Sequence, residues 1–93
     1  MTEAQTQKKI IDYLESLGAY VFKTIQCNRA GVADIVCCIQ GTFCAFEVKK
    51  EKGVISKLQV YHQGLVAEAG GRSAVVRSVQ DVKDALEAWG FTS

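Results

Sequence analysis

Asp34-Ile35-Val36-Cys37-Cys38-Ile39-Gln40-Gly41-Thr42-Phe43-Cys44-Ala45-Phe46-Glu47-Val48-Lys49 is the stretch that decides the fold. Two apolar runs rich in β-branched and aromatic residues flank Gln40-Gly41, the pattern of a β-hairpin. The first run, Asp34–Ile39, has no polar residue after its first position. It reads as a central strand buried on both faces. In the second, Phe43–Lys49, a period of two puts Cys44, Phe46 and Val48 on one face. Ala45, Glu47 and Lys49 then share the other.

With Gln40-Gly41 as a two-residue turn, Ile39 faces Thr42 and Asp34 falls opposite Glu47. Cross-strand partners have Cβ atoms about 4.5–5.5 Å apart, and like charges so placed repel. On an apolar sheet the repulsion is stronger still, and one carboxyl should hold its proton. A divalent cation removes the problem. Hard oxygen ligands suit Mg²⁺ or Mn²⁺, which leave coordination positions for water or phosphate. Lys49 lies two residues beyond Glu47, on the same face and about 6.5–7 Å further along. A lysine there is placed to orient a metal-bound water and to face a phosphate. A three-residue loop would instead shift the register by one and send the carboxylates to opposite faces. The competing reading is ordinary: Asp34 as a turn residue, with Glu47 and Lys49 as an exposed edge-strand ion pair. The surrounding hydrophobicity argues against it, because an unpaired Glu is costly in a central strand.

The flanking sequence supplies the other elements. Glu3–Leu17 carries Ile10, Ile11, Leu14 and Leu17 at helical spacing, stopped by Gly18. Ala19–Gln26 alternates as a strand, and Cys27–Val32 is a loop. Lys50–Ile55 is a charged loop, after which Ser56-x-x-Gln59 is a capping box opening a helix to about Ala69. Leu58, Tyr61, His62 and Leu65 lie on one face of that helix, and Tyr61 reads as core. Ser73–Arg77 is a fourth strand. Ser78 and Asp81 cap a last helix with Val82, Ala85, Leu86 and Trp89 as its apolar stripe. The order is αβββαβα, an α/β fold with a central four-stranded mixed sheet flanked by helices. The crossover helix makes the third and fourth strands parallel.

Composition agrees. The chain has 93 residues, 48% hydrophobic and 23% charged, with a formal net charge of +1. Residues 1–93 therefore form a single domain. Mean hydropathy is +0.07 and the pI about 7.6, values that neither announce nor exclude a polyanionic partner. No apolar run exceeds Ile35–Ile39, so no transmembrane helix is expected. The start, Met1-Thr2-Glu3-Ala4-Gln5, lacks the features of a secretory signal. Cys27, Cys37, Cys38 and Cys44 show no C-x-x-C spacing, so free thiols packed in the core of a reducing cytoplasm are expected.

Gly31-Val32-Ala33-Asp34, twelve intervening residues, and Glu47-Val48-Lys49 resemble the active-site motif of the PD-(D/E)XK nuclease superfamily. Within it the chain most resembles the VRR-NUC family, over about residues 3–88. That family has a helix-1 glutamate followed by a glutamine, a G-x-P-D strand start, E-V-K, and a glutamine in the next helix. Glu3 with Gln7, Gly31 with Asp34, Glu47-Val48-Lys49, and Gln59 stand at those places. Gly70-Gly71 and Ala74-Val75-Val76-Arg77-Ser78 match its ending. Ala33 replaces the family's proline, which would only stiffen the approach to Asp34.

The resemblance implies a restriction-endonuclease-like core and metal-dependent hydrolysis of DNA. Asp34, Glu47 and the backbone carbonyl of Val48 would bind Mg²⁺ or Mn²⁺. Lys49 would position the attacking water, and Glu3 would close the site directly or through a water. Gln59 would orient Lys49 or a phosphate. The competing reading of Glu3 is a helix-start acid favoured by the dipole; that of Gln59 is its place in the capping box, a role compatible with the functional one. Gln7 reads as an exposed helix residue and His62 as core. Lys50, Lys52, Lys57 and Arg29 are candidates for phosphate contacts. The family implies branched DNA, including four-way junctions, as substrate. Symmetric cutting of a junction would need a homodimer. The alternative is a DNA-binding module that keeps the fold without catalysis, or a nuclease dependent on a helicase or replication partner.

Overall fold

The computed structural model describes residues 1–91. Its elements are α1 (Glu3–Ser16), β1 (Tyr20–Lys23), β2 (Ile35–Ile39), β3 (Thr42–Val48), α2 (Lys57–Glu68), β4 (Arg72–Val76) and α3 (Val79–Ala88). The four strands form one sheet in the order β1-β2-β3-β4. The first three are antiparallel neighbours, and β3 and β4 run parallel. No helix among the described residues is long and apolar enough to cross a membrane.

The hairpin turn is the two-residue form. Gln40 and Gly41 have φ of 49° and 80°, the paired positive values of a type I′ turn. Ile39 pairs with Thr42 and Ile35 with Phe46, so the next position places Asp34 opposite Glu47.

One face of the sheet carries the core. Ile35, Cys37, Ile39, Cys44, Phe46, Val48 and Val76 pack there against Ile10 and Leu14 of α1 and Val82 and Leu86 of α3. The rings of Phe46 and Trp89 lie 5.7 Å apart. Each such side chain contributes about 1.5–3 kcal/mol through burial.

The second face differs from expectation. Cys38 is exposed and Val36 only half-buried, so β2 is central in the sheet but not buried on both faces. Cys27 is exposed as well, leaving only Cys37 and Cys44 in the core. Tyr61 is 59% exposed rather than packed inside. The reason is coverage: α2 has no buried residue and shields only part of this face. β1 is also shorter than the expected Ala19–Gln26. Thr24 still donates its N–H to the Asp34 carbonyl at 2.8 Å. Beyond it the chain has no strand to pair with, and Ile25 is 90% exposed.

Candidate active site

The ladder itself brings the carboxylates together. Antiparallel strands alternate hydrogen-bonded and non-hydrogen-bonded pairs, and side chains are closer in the latter. Counting from the pair that closes the turn, Asp34 and Glu47 form a non-hydrogen-bonded pair. The Asp34 carbonyl agrees, since it is committed to Thr24 on the opposite side. The Asp34 side chain then does a strand's work. Its Oδ2 accepts the Val48 N–H at 2.9 Å, where β2 has no backbone left to offer. The same alternation turns the Val48 carbonyl to the β2 side of the ladder.

Glu47 is 5% exposed. Its Oε1 accepts from Gln59 Nε2 at 2.8 Å, and Lys49 Nζ stands 4.0 Å from the same oxygen. Burial pushes the Glu47 carboxyl up to about 8, and contact with Asp34 adds to the rise. Lys49 opposes the rise and Glu3 reinforces it. The site thus crowds acidic groups so closely that Glu47 keeps its proton up to about pH 8, which Lys49 only partly opposes.

The sequence-derived residues do not all converge. Asp34, Glu47, Lys49 and Gln59 come together. The Gln59 amide goes to Glu47 rather than to Lys49. It also closes the capping box, its Oε1 accepting from Ser56 N at 2.9 Å. Glu3 stands at the rim, its Oε1 accepting from Lys50 N at 3.3 Å. Among the described residues no three His, Cys, Asp or Glu side chains group as a metal site. The donor set still fits a hard cation: two facing carboxylates, one of them buried with a raised pKa, beside a backbone carbonyl. Mg²⁺ commonly takes no more than one or two carboxylates from protein.

Two grooves flank Glu47 and Lys49. One has a volume of about 440 Å³ and lies between α2 and the sheet, with Arg29, Glu47, Gln59 and His62 in its walls. The other, about 550 Å³, is lined by Glu3, Lys9, Lys49, Lys50 and Arg77. Lys52 and Lys57 are exposed, on the loop before α2 and at its first position.

Three residues hold more than the sequence reading gave them. Gln7 is 8% exposed, not a surface residue. It shares the inward stripe of Ile10 and Leu14, a spacing that could have revealed it. Its buried Oε1 has no hydrogen-bond partner among the described residues. Arg77 spans from the end of β4 to the loop after β3. Its guanidinium donates to the carbonyls of Lys50 and Gly53, the latter at 3.2 Å. Gly31 has φ +82°, and a Cβ there would lie 2.5 Å from Leu58 Cγ. The loop approaching Asp34 therefore reaches α2 only as glycine.

No family model matches the sequence, and no curated protein matches it. Solved structures do. A VRR_NUC domain superposes with TM-score 0.79 at 25% identity, over 96% of this chain and 97% of that one. Hjc of Archaeoglobus fulgidus, a Holliday junction resolvase from an archaeal hyperthermophile, gives TM-score 0.64 at 20% identity. That match covers 81% of this chain and 67% of Hjc. The architecture, a four-stranded mixed sheet in αβββαβα order, is that of the VRR_NUC fold.

Proposed function

We propose that this VRR_NUC-fold chain is a metal-dependent endonuclease of the PD-(D/E)XK type that hydrolyses DNA phosphodiesters, selecting branched DNA such as a four-way junction. The observation that carries it is the facing of Asp34 and Glu47, with Lys49 beside them, on this fold. The junction preference is supported by the likeness to Hjc, and by a small surface better suited to reading shape than bases.

Asp34, Glu47 and the Val48 carbonyl would hold Mg²⁺ or Mn²⁺, with Glu3 closing the site. Such a cation supplies Lewis-acid polarisation and activates water for attack on phosphorus. The chain's own groups set the conditions. Glu47 must release its proton to serve as a ligand, so cation affinity rises with pH. Gln59 fixes the Glu47 carboxylate. Lys49 places positive charge where the phosphate gains negative charge. Lys50, Lys52, Lys57 and Arg29 supply phosphate contacts. One centre cuts one strand, so symmetric cutting requires a homodimer.

The test is incubation with Mg²⁺ or Mn²⁺ and labelled single strand, duplex, flap and four-way junction, beside Asp34→Ala and Lys49→Ala. Cleavage of the junction that needs the cation and falls at least about a hundredfold in both variants is expected. Binding without cleavage of any substrate would overturn the autonomous enzyme in favour of the non-catalytic or partner-dependent module.

A further inference from the structure

Cys37 and Cys44 face each other across the central hairpin. They are direct partners in the β2–β3 ladder, and both are buried, at 2% and 0% exposed. Counted from the Ile39–Thr42 pair that closes the turn, theirs is a hydrogen-bonded pair. Such pairs place their Cα atoms about 5.5 Å apart. Disulfides span Cα separations of about 4.4–6.8 Å, so the backbone already stands where a bridge needs it. The side chains meet as well. The Cys37 thiol shares a hydrogen bond with Cys44, and Cys44 Sγ donates to the Thr42 carbonyl at 3.8 Å. The bond between the thiols keeps the Cys37 proton in place and favours the thiolate on Cys44. Arg72, the β4 partner of Cys44, favours that thiolate further.

We propose that Cys37 and Cys44 are a redox modification site, closed into a disulfide by hydrogen peroxide and reopened by a thiol. The Cys44 thiolate attacks one peroxide oxygen, and the O–O bond breaks to leave a sulfenic acid and, after protonation, one water. The Cys37 sulfur then displaces the hydroxyl as a second water and forms the S–S bond. Two thiols lose two electrons and two protons, and the peroxide becomes two waters. Peroxide is little larger than water, and the pair lies two ladder steps from the pair that closes the exposed turn, where opening begins. Cross-strand Cβ atoms are about 4.5–5.5 Å apart, toward the wide end in hydrogen-bonded pairs, against about 3.8 Å in a disulfide. The bridge therefore pulls the core face of the hairpin together under strain, and strained disulfides are the readily reduced, regulatory kind. Asp34 and Glu47 lie three positions along the same strands, about 10 Å away and on the opposite face. There Asp34 Oδ2 holds the Val48 N–H in place of backbone. Pinching one face splays the other, so oxidation loosens this contact. The consequence for cleavage rests on the nuclease reading; the bridge and the loosened contact do not.

The test uses the full chain carrying Cys27→Ser and Cys38→Ser, which removes the two exposed thiols and leaves the pair. The folded, metal-free protein is treated with hydrogen peroxide, quenched with catalase, denatured and alkylated with N-ethylmaleimide. Intact mass should show a monomer lighter by two hydrogens and without adducts, and dithiothreitol before alkylation should restore both adducts. Cys37→Ala and Cys44→Ala in the same background should form no internal bridge. Exchange of the Val48 amide, followed by NMR without metal or DNA, should quicken at least about tenfold on oxidation and stay unchanged in peroxide-treated Cys37→Ala. Cleavage of a four-way junction should fall at least about tenfold in the bridged form and return on reduction. Thiols that survive peroxide, or that end as sulfinic acids without a bridge, would overturn the proposal. So would a bridge that leaves Val48 exchange unchanged. A reduced protein that cuts no DNA, yet bridges and loosens at Val48, would count against the nuclease reading and for this site.

Discussion

Gln59 donates its amide to the Glu47 carboxylate at 2.8 Å while its own oxygen closes the cap of α2 on Ser56 N at 2.9 Å. One side chain therefore couples the start of a helix to the most buried acid of the candidate site. The two duties can be separated. Ser56→Ala removes the hydroxyl that caps Gln59 N but leaves the amide on Glu47, so it should cost about 1 kcal/mol of stability and little activity. Gln59→Ala should lose both, with kcat/KM falling roughly tenfold beyond the melting change. Equal activity in the two variants would reduce Gln59 to a capping residue.

Glu47 sets a pH dependence whose sign is unusual for a carboxylate. Its ordinary value of 4.5 is raised to about 8 in the folded chain, chiefly by burial. Between those values the folded state holds a proton that the unfolded state has released. Stability of the metal-free protein is therefore full below about 4.5, falls as pH rises, and levels off above about 8. Glu47→Gln should abolish this decline and be the more stable protein at alkaline pH, by an amount on the order of a few kcal/mol. Added Mg²⁺ or Mn²⁺ should raise the melting temperature of wild type more at alkaline than at neutral pH, and leave the variant unmoved. Melting curves across pH, with and without the cation, decide it. A wild type whose stability rises with pH in step with the variant would remove the raised pKa from the account.

The part of this site that the sequence disclosed is the part fixed by backbone periodicity. Gln40-Gly41 set a two-residue turn, and the alternation of β3 then placed Asp34 against Glu47 without further information. The capping box was similarly local. Burial was harder to read, because apolar strands signal two covered faces whether or not a helix arrives to cover both. That is why Cys38 is exposed against expectation. Glu3 and Arg77 depend on where distant loops meet, and no spacing in the chain encodes that. Gln7 was recoverable, since its position on the stripe of Ile10 and Leu14 outweighs its polarity.

Phosphate contacts leave a measurable trace in salt dependence. Each lost contact should lower the slope of log affinity against log salt by about 0.9 on duplex arms. Arg29→Ala and Lys50→Ala replace cations in the walls of the two grooves, one lined by Glu47 and the other by Lys49. Lys52→Ala and Lys57→Ala replace exposed cations on the approach to α2 and at its start. All four should weaken binding of junction and duplex alike, without altering the junction preference. Fluorescence anisotropy titrations at several salt concentrations give the slopes. An unchanged slope in any variant removes that residue from the interface.

Arg77 tests whether the loop after β3 must be held for the site to work. Its guanidinium reaches the carbonyls of Lys50 and Gly53, and its own N–H donates to Asp81 Oδ2 at 2.8 Å. The first pair ties the loop to the end of β4, and the last belongs to the backbone and survives substitution. Arg77→Ala should thus leave α3 in place while freeing the loop that follows Lys49. A stability loss of about 1 kcal/mol is expected from the side-chain bonds. The loop should become more open to proteolysis and hydrogen exchange, and kcat/KM should fall roughly tenfold through misplacement of Lys49 and Lys50. Arg77→Lys should rescue little, because an ammonium cannot reproduce the planar fork that spans two carbonyls. Rescue by lysine with the loop still mobile would show instead that Arg77 acts as a charge facing DNA, and its salt slope would then fall with those of the groove cations.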